Sequence, residues 1–374
     1  MMLKKVSAAV LHGALVVLIP VSLGAQNLKT GFDAREYLDL LSIAFGNYDS
    51  FSKTTKDTPL YRWQYRSRVT GLDNRWNLWL RRDAKVAVIS VRGTVGTATS
   101  WLANFYATMQ PATGTIRLND TTNFTYKLSD HPEAKVHTGW LISLGFLSTD
   151  IERKIRDLYK AGVRQFLITG HSQGGGIAYL LRSYLYYRTK EGALPPDIRY
   201  KTYCSAAPKP GNLYYAYDYE FINRDGWAFN VVNVADWVPE TPVSIQQFGD
   251  MNPLNPFTEA KGILKSQNVP VRIFGHIIYG KLDRATRKAA RKYRQVLGRG
   301  IGKQVVKRKK GLSRPEDEAS LNYMRAGTFV VLMPDEGYYQ KFTNDPSTPK
   351  GVFTHHTFEA YAYLLLKDYP RENQ

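Results

Sequence analysis

The chain has 374 residues, 51 Lys and Arg against 32 Asp and Glu, one Cys and 43% apolar content. That length accommodates one elaborated α/β domain or two smaller ones, and the apolar fraction excludes a wholly disordered chain. A lone Cys204 excludes an intramolecular disulfide and a thiolate cluster for structural zinc.

The net charge of +19 would suit a nucleic-acid or membrane partner if it covered a face. It is instead concentrated. Between Lys261 and Arg314 stand 17 basic residues and one acid, Asp283, so this stretch carries +16. With Lys4 and Lys5 set aside, the rest of the chain is within one unit of neutrality. One insertion, about 245–325, is polycationic in an otherwise ordinary protein.

Residues 1–25 read as an export signal: Lys4 and Lys5, then an apolar run from Val6 to Ile19, then Ser22-Leu23-Gly24-Ala25 for cleavage. The run is short for a spanning helix, which needs about 20 residues, and an uncleaved anchor is the bland alternative. The expected mature chain is a secreted or periplasmic protein, 26–374.

Apolar residues at helical spacing from Thr30 to Phe45 predict a helix capped by Asp33 or Thr30. Trp76–Leu80 and Lys85–Val91 read as strands joined by a turn at Arg82-Asp83. The second is nearly all apolar, as a buried strand should be. Trp140–Tyr159 reads as a helix, Val163–Thr169 as a strand, and Gly174–Tyr187 as a helix directly after it. Further strands are expected at Tyr200–Ala207, Phe229–Val234 and Thr328–Met333. Strands alternating with helices define an α/β class: a mostly parallel sheet with helices on both faces.

Gly170-His171-Ser172-Gln173-Gly174 fits G-x-S-x-G. The pattern alone is weak, but its position between a predicted strand and a predicted helix puts Ser172 on a sharp turn at a helix N-terminus. A glycine-rich turn that binds phosphate, or nothing, is the bland reading. A serine nucleophile needs a base held by an acid. His355 and His356 follow the last strand through a loop, where a loop-borne base belongs. His171, adjacent to Ser172, should point away and pack. His276 lies in the basic insertion and His131 in a polar loop. Asp236 closes the apolar run Phe229–Ala235 and so sits at the same sheet edge as Ser172. The developing oxyanion needs backbone N–H donors. Gln173 supplies one, and Thr94, in the Arg92-Gly93-Thr94 turn after a strand, the other.

Five segments in order now resemble the class 3, fungal-type lipases: Arg92-Gly93-Thr94, Val136–Trp140, Gly170–Gly175, Ala206–Asn212 and Asn233–Pro239. A terminal His356-x4-Tyr361 adds to the likeness. The resemblance implies an α/β-hydrolase fold, a Ser172–Asp236–His356 triad and oxyanion donors Thr94 and Gln173. It favours His356 over His355 through the spacing to Tyr361. The chain departs from the family between Asp236 and His356, where the basic insertion lengthens the interval. The implied activity is that of a serine hydrolase of lipid acyl esters, a lipase or phospholipase, with no metal or organic cofactor. A short-chain carboxylesterase, or a non-catalytic exported protein binding anionic surfaces through the insertion, are the alternatives.

Two segments could meet lipid. Thr99–Met109 carries Trp101, Leu102, Phe105, Tyr106 and Met109 at helical spacing, where the resembled family has a lid helix. A helix packed permanently on the core is the other reading. Within 281–310, a helix over about 282–297, broken by Gly298, Gly300 and Gly302, would show a basic face to an anionic membrane. A mobile solvated insert is the bland reading and stands ahead of that docking, and nucleic acid is the least favoured partner because basic charge alone supplies no base recognition.

Overall fold

The computed structural model describes residues 28–47, 58–252, 255, 269–343 and 351–370. The expected leader, 1–25, lies outside them. Helix α1 (Ala34–Phe45) starts where Asp33 accepts hydrogen bonds from the N–H groups of Arg35 and Glu36, satisfying donors the helix leaves open. Strands β1 (Tyr61–Arg66), β2 (Trp76–Arg81) and β3 (Val86–Val91) follow, and then helix α2 (Ala98–Phe105). Short strands β4 (Met109–Pro111), β5 (Thr113–Arg117), β6 (Asn123–Lys127) and β7 (Lys135–His137) form two small ribbons. Helix α3 (Thr138–Lys160), β8 (Gln165–His171), α4 (Gln173–Lys190), β9 (Arg199–Ser205), α5 (Leu213–Ile222) and β10 (Ala228–Asn233) continue the chain. The insertion supplies α6 (Val269–Tyr293) and α7 (Ile301–Arg308). Strand β11 (Thr328–Leu332), α8 (Glu336–Lys341) and α9 (Phe358–Asp368) complete the fold.

The main sheet runs β1-β2-β3-β8-β9-β10-β11. β1–β2 and β2–β3 are antiparallel, and every later pair is parallel. The alternation of side chains along a strand fills two cores. Ala87, Ile89 and Val91 of β3 join a layer with Trp140, Leu141 and Ile142 of α3 and Ile177 of α4. Val86 and Val88 face the other way, onto Tyr37 and Leu41 of α1 and Tyr361 and Leu364 of α9. Register aligns the sheet's working edge: Val91 pairs with Gly170, Gly170 with Cys204, and Asn233 with Leu332. The segments leaving β3, β8 and β10 therefore emerge side by side, as ligand sites do in open α/β sheets.

Two expectations about the insertion are corrected. Its helix begins at Val269, not near 282, and the three glycines do not break it. The chain continues through a wide π-type segment, Arg294–Gly300, into α7. The glycines permit close approach instead. A Cβ at Gly298 would stand 2.3 Å from Asp317 Oδ2, and one at Gly302 2.8 Å from the Tyr106 hydroxyl. The expected helix over Thr99–Met109 is also shorter: it ends at Phe105, and Met109 belongs to β4.

Candidate active site

Ser172 occupies the turn from β8 into α4 with φ 61° and ψ −128°, a left-handed backbone that a non-glycine residue adopts only when its surroundings enforce it. The enforcement is visible on both sides. A Cβ on Gly170 would come within 2.4 Å of the Gly174 carbonyl, and one on Gly174 within 2.2 Å of the Val91 carbonyl. The turn closes only with glycine at those positions. Ser172 N–H donates to Ser205 O at 3.0 Å, anchoring the turn to the end of β9.

Asp236 stands just past β10, its side chain fully buried. Three donors converge on it: His356 Nδ1 at 2.6 Å and the Tyr361 hydroxyl at 2.8 Å on Oδ2, and Val238 N–H at 3.0 Å on Oδ1. Since a carboxylate only accepts, His356 carries a proton on Nδ1, which in the neutral ring leaves Nε2 as an acceptor. That Nε2 is buried and has no hydrogen-bond partner among the described residues. His355 is brought elsewhere: its Nδ1 meets the Tyr338 hydroxyl at 2.8 Å, which also accepts from Asn233 Nδ2. The geometry thus separates the two adjacent histidines, and only His356 reaches Asp236.

His171, beside Ser172, does more than pack. Its Nε2 donates to the His356 carbonyl at 3.0 Å, and its Nδ1 meets Ser205 Oγ at 3.0 Å, which in turn meets the Tyr37 hydroxyl at 2.7 Å. Its ring lies 4.6 Å from that of Phe45. Burial, and then the neighbouring His356, hold its pKa well below the ordinary imidazole value, so it stays neutral behind the site. His131 caps its own loop, accepting from Glu133 N–H. His276 is in α6, and its side chain lies outside the described ones.

Thr94 and Gln173 are tied to one residue that sequence reasoning passed over. Asn104 Nδ2 donates to Thr94 Oγ1 at 2.9 Å, while its Oδ1 accepts from Gln173 Nε2 at 2.8 Å and from Trp140 Nε1 at 3.2 Å. Gln173 Nε2 also reaches Ser100 O, and His137 Nε2 donates to Asn104 O. These contacts fasten α2 to α3 and α4. A Cβ on Gly139 of α3 would meet the Ala103 carbonyl of α2 at 2.0 Å. Helix α2 is thus packed on the core, with Leu102 and Ala103 buried in it.

His137 contributes to stability in a pH-dependent way. Its Nε2 donates to Asn104 O and its Nδ1 accepts from Trp140 N–H, so both nitrogens are satisfied only in the neutral ring. Burial pushes its pKa down from 6.5 to about 3. The unfolded chain therefore binds a proton at pH 5 that the native state refuses, and stability falls as pH drops below about 6.5. Each such imidazole costs about 1 kcal/mol per pH unit, and His171 adds a second. Asp39, raised to about 6 by burial, works in the opposite sense below pH 6 and offsets part of the loss. Urea midpoints across pH 7.5 to 5 should therefore fall, with a shallower slope in His137→Gln. An identical slope in that variant would refute the assignment.

Ser172, His356, Thr94 and Gln173 share the wall of a cavity of about 560 Å³. Its remaining lining is mainly apolar: Trp101 and Phe105 from α2, Trp237 and Phe353 from loops, and Tyr293 and Leu297 from the insertion. The loop and insertion residues come from far along the chain, and no sequence signal placed them here. Among the described residues no group of three or more His, Cys, Asp or Glu could hold a metal ion.

A serine on a strained strand-to-helix turn and a carboxylate-held histidine at the same edge of a mostly parallel sheet define an α/β-hydrolase. Residues 88–245 match the family described as lipase (class 3). A secreted mono- and diacylglycerol lipase of Fusarium solani is 27% identical over 161 residues, 42% of this chain and 40% of that protein. The Rhizomucor miehei lipase in its propeptide complex aligns with a TM-score of 0.40 at 21% identity, over 57% of this chain and 65% of that one. The lipase of Rhizopus microsporus var. chinensis gives 0.41 at 22% identity, over 57% and 71%. The chain is similar to this family over residues 88–245. It spans only about 40% of the length of the curated relative it matches.

Proposed function

We propose that the protein is an exported serine hydrolase that cleaves lipid acyl esters. The observation that carries this reading is the His356 imidazole. Its Nδ1–H is fixed on buried Asp236, and its Nε2 is buried without a partner among the described residues, in a ring that lines the same cavity as Ser172. A buried acceptor without a partner is costly, and a base awaiting a proton accounts for it.

In this mechanism Ser172 Oγ attacks the ester carbonyl carbon as His356 Nε2 takes its proton. Asp236 stabilises the resulting imidazolium and keeps the ring in the productive orientation. The backbone N–H groups of Thr94 and Gln173 stabilise the tetrahedral oxyanion, with Asn104 bracing both residues from behind. His356 then protonates the leaving alcohol. Water, deprotonated by the same imidazole, attacks the acyl-enzyme and releases the fatty acid.

The apolar lining supports a lipid acyl chain as the bound group. Acylglycerols are the proposed substrate class, supported by the name of the Fusarium relative. Export through residues 1–25, with 26–374 as the mature hydrolase, belongs to the same proposal. No helix among the described residues is long and apolar enough to cross a membrane. Hydrolysis of a p-nitrophenyl ester series by the mature protein tests the reading. Turnover that peaks at long acyl chains supports lipid esters, and a peak at acetate or butyrate would instead indicate a short-chain carboxylesterase. Complete inertness toward the series, in solution and on lipid dispersions, would leave the non-catalytic reading standing.

A further inference from the structure

The insertion lies outside the residues that match the family, yet it reaches the active-site cavity. Helix α6 packs on the body through one face. Tyr279 stacks on Phe248 with ring centroids 5.1 Å apart, and Ala290 is fully buried with Met109 and Tyr323. One and two turns beyond Ala290, Tyr293 and Leu297 form part of the cavity wall.

The outward face is divided along its length. Val269, Ile273 and Ile277 lie on one i, i+4 row near the start of α6, and Ile278 and Leu282 lie on the next such row round the helix. All five are exposed, Val269, Ile273 and Leu282 by 54–55%, an arrangement that a water-facing helix has no reason to keep. Further along, on the same side as that row, stand Arg284, Arg287, Lys288 and Arg291, with Lys292 beside them. Asp283 is the one acid in the +16 stretch and is already bonded to Arg287 at 2.8 Å. An apolar end followed by a basic collar matches the depth profile of an anionic bilayer: hydrocarbon first, then phosphate.

We infer that α6 is a docking element for membranes rich in anionic phospholipid. Its Val269–Leu282 end enters the headgroup boundary, and its Arg284–Lys292 collar rests on lipid phosphates. Because the same helix runs on into Tyr293 and Leu297, docking turns the mouth of the cavity toward the bilayer. The inference draws on the proposed lipid hydrolysis for its purpose, but the binding itself does not depend on Ser172.

The test is sedimentation of the mature protein carrying Ser172→Ala with vesicles of pure phosphatidylcholine and of phosphatidylcholine mixed with phosphatidylglycerol. Binding to the mixed vesicles only, weakening as salt is added, is the expected result. In the same background, R284E/K288E/R291E should lose on the order of a hundredfold in partitioning, at about fivefold or more per basic residue. I273S/I277S, which leaves the charge intact, should lose about tenfold or more. With Ser172 restored, both sets should hydrolyse p-nitrophenyl butyrate at the parent rate, which separates failed docking from failed catalysis. Equal binding to neutral vesicles, or variants that bind like the parent, would overturn the inference. So would displacement by a short DNA duplex with no effect of I273S/I277S, which would mark the helix as a general polyanion binder.

Discussion

Ser172→Ala should lower kcat/KM for a p-nitrophenyl ester by on the order of 10⁴-fold or more while leaving the unfolding midpoint close to that of the parent. The hydroxyl makes no side-chain hydrogen bond that caps α4, and the turn is held by backbone contacts, Ser172 N–H to Ser205 O and Gly176 N–H to Ser172 O. Alanine meets the same left-handed backbone as serine, so the strain does not change. The loss therefore falls on chemistry. His356→Ala should cost a similar factor, because without a base the serine hydroxyl remains protonated at neutral pH. The double variant should be little worse than either single one, since the two groups act in one step. Multiplying losses would mean that Ser172 and His356 work independently, contrary to the proposed mechanism. Retention of the Thr94 and Gln173 donors leaves some residual acceleration in all three variants.

Asp236→Asn should also lose on the order of 10³- to 10⁴-fold, for a reason readable from its contacts. The two carboxylate oxygens accept from three donors and donate nothing. An asparagine with its NH2 at the Oδ2 position faces both the Tyr361 hydroxyl and His356 Nδ1. The imidazole must then move its proton to Nε2, where it cannot act as a base. The flipped amide keeps the His356 bond but sets NH2 against Val238 N–H and removes the charge that stabilises the imidazolium. The first arrangement strips the Tyr361 hydroxyl proton of its acceptor and the second sets a buried donor against a donor, each at a cost of about 1–3 kcal/mol in stability. Rate and urea midpoint should thus fall together. A full-rate Asp236→Asn enzyme would show that the carboxylate is only a structural ligand of the loop.

The sheet was legible in the sequence because its inner strands are buried on both faces. Val-Ala-Val-Ile-Ser-Val at 86–91 and Phe-Leu-Ile-Thr at 166–169 carry continuous apolar character that no surface segment shares. β1 was not, since Tyr-Arg-Trp-Gln-Tyr-Arg at an edge exposes most of its residues and has no apolar run. The turn at Ser172 and the position of Asp236 followed from local pattern: a strand end, then a short polar residue at the same edge. His356 was favoured over His355 through its spacing to Tyr361, but the contacts that hold His355 elsewhere come from Tyr338 and Asn233, which leave no mark near 355. Asn104 was missed for the same reason. A lone amide in an apolar helix carries no signal until its partners Thr94, Gln173 and Trp140 are brought around it. The course of the insertion was misread because glycine was taken as a helix breaker, whereas Gly298 and Gly302 are where the helical segment touches Asp317 and Tyr106.

The central claim, that Ser172 is a nucleophile activated by His356 and Asp236, is tested most directly by stoichiometric labelling with a p-nitrophenyl alkylphosphonate. Attack of Ser172 Oγ on phosphorus expels p-nitrophenolate and leaves the enzyme covalently phosphonylated. The account predicts one equivalent of p-nitrophenolate per protein, with the added mass on the peptide containing Ser172. Labelling should be absent in Ser172→Ala and slowed by orders of magnitude in His356→Ala. A label on another residue, or equal labelling of Ser172→Ala, would contradict it.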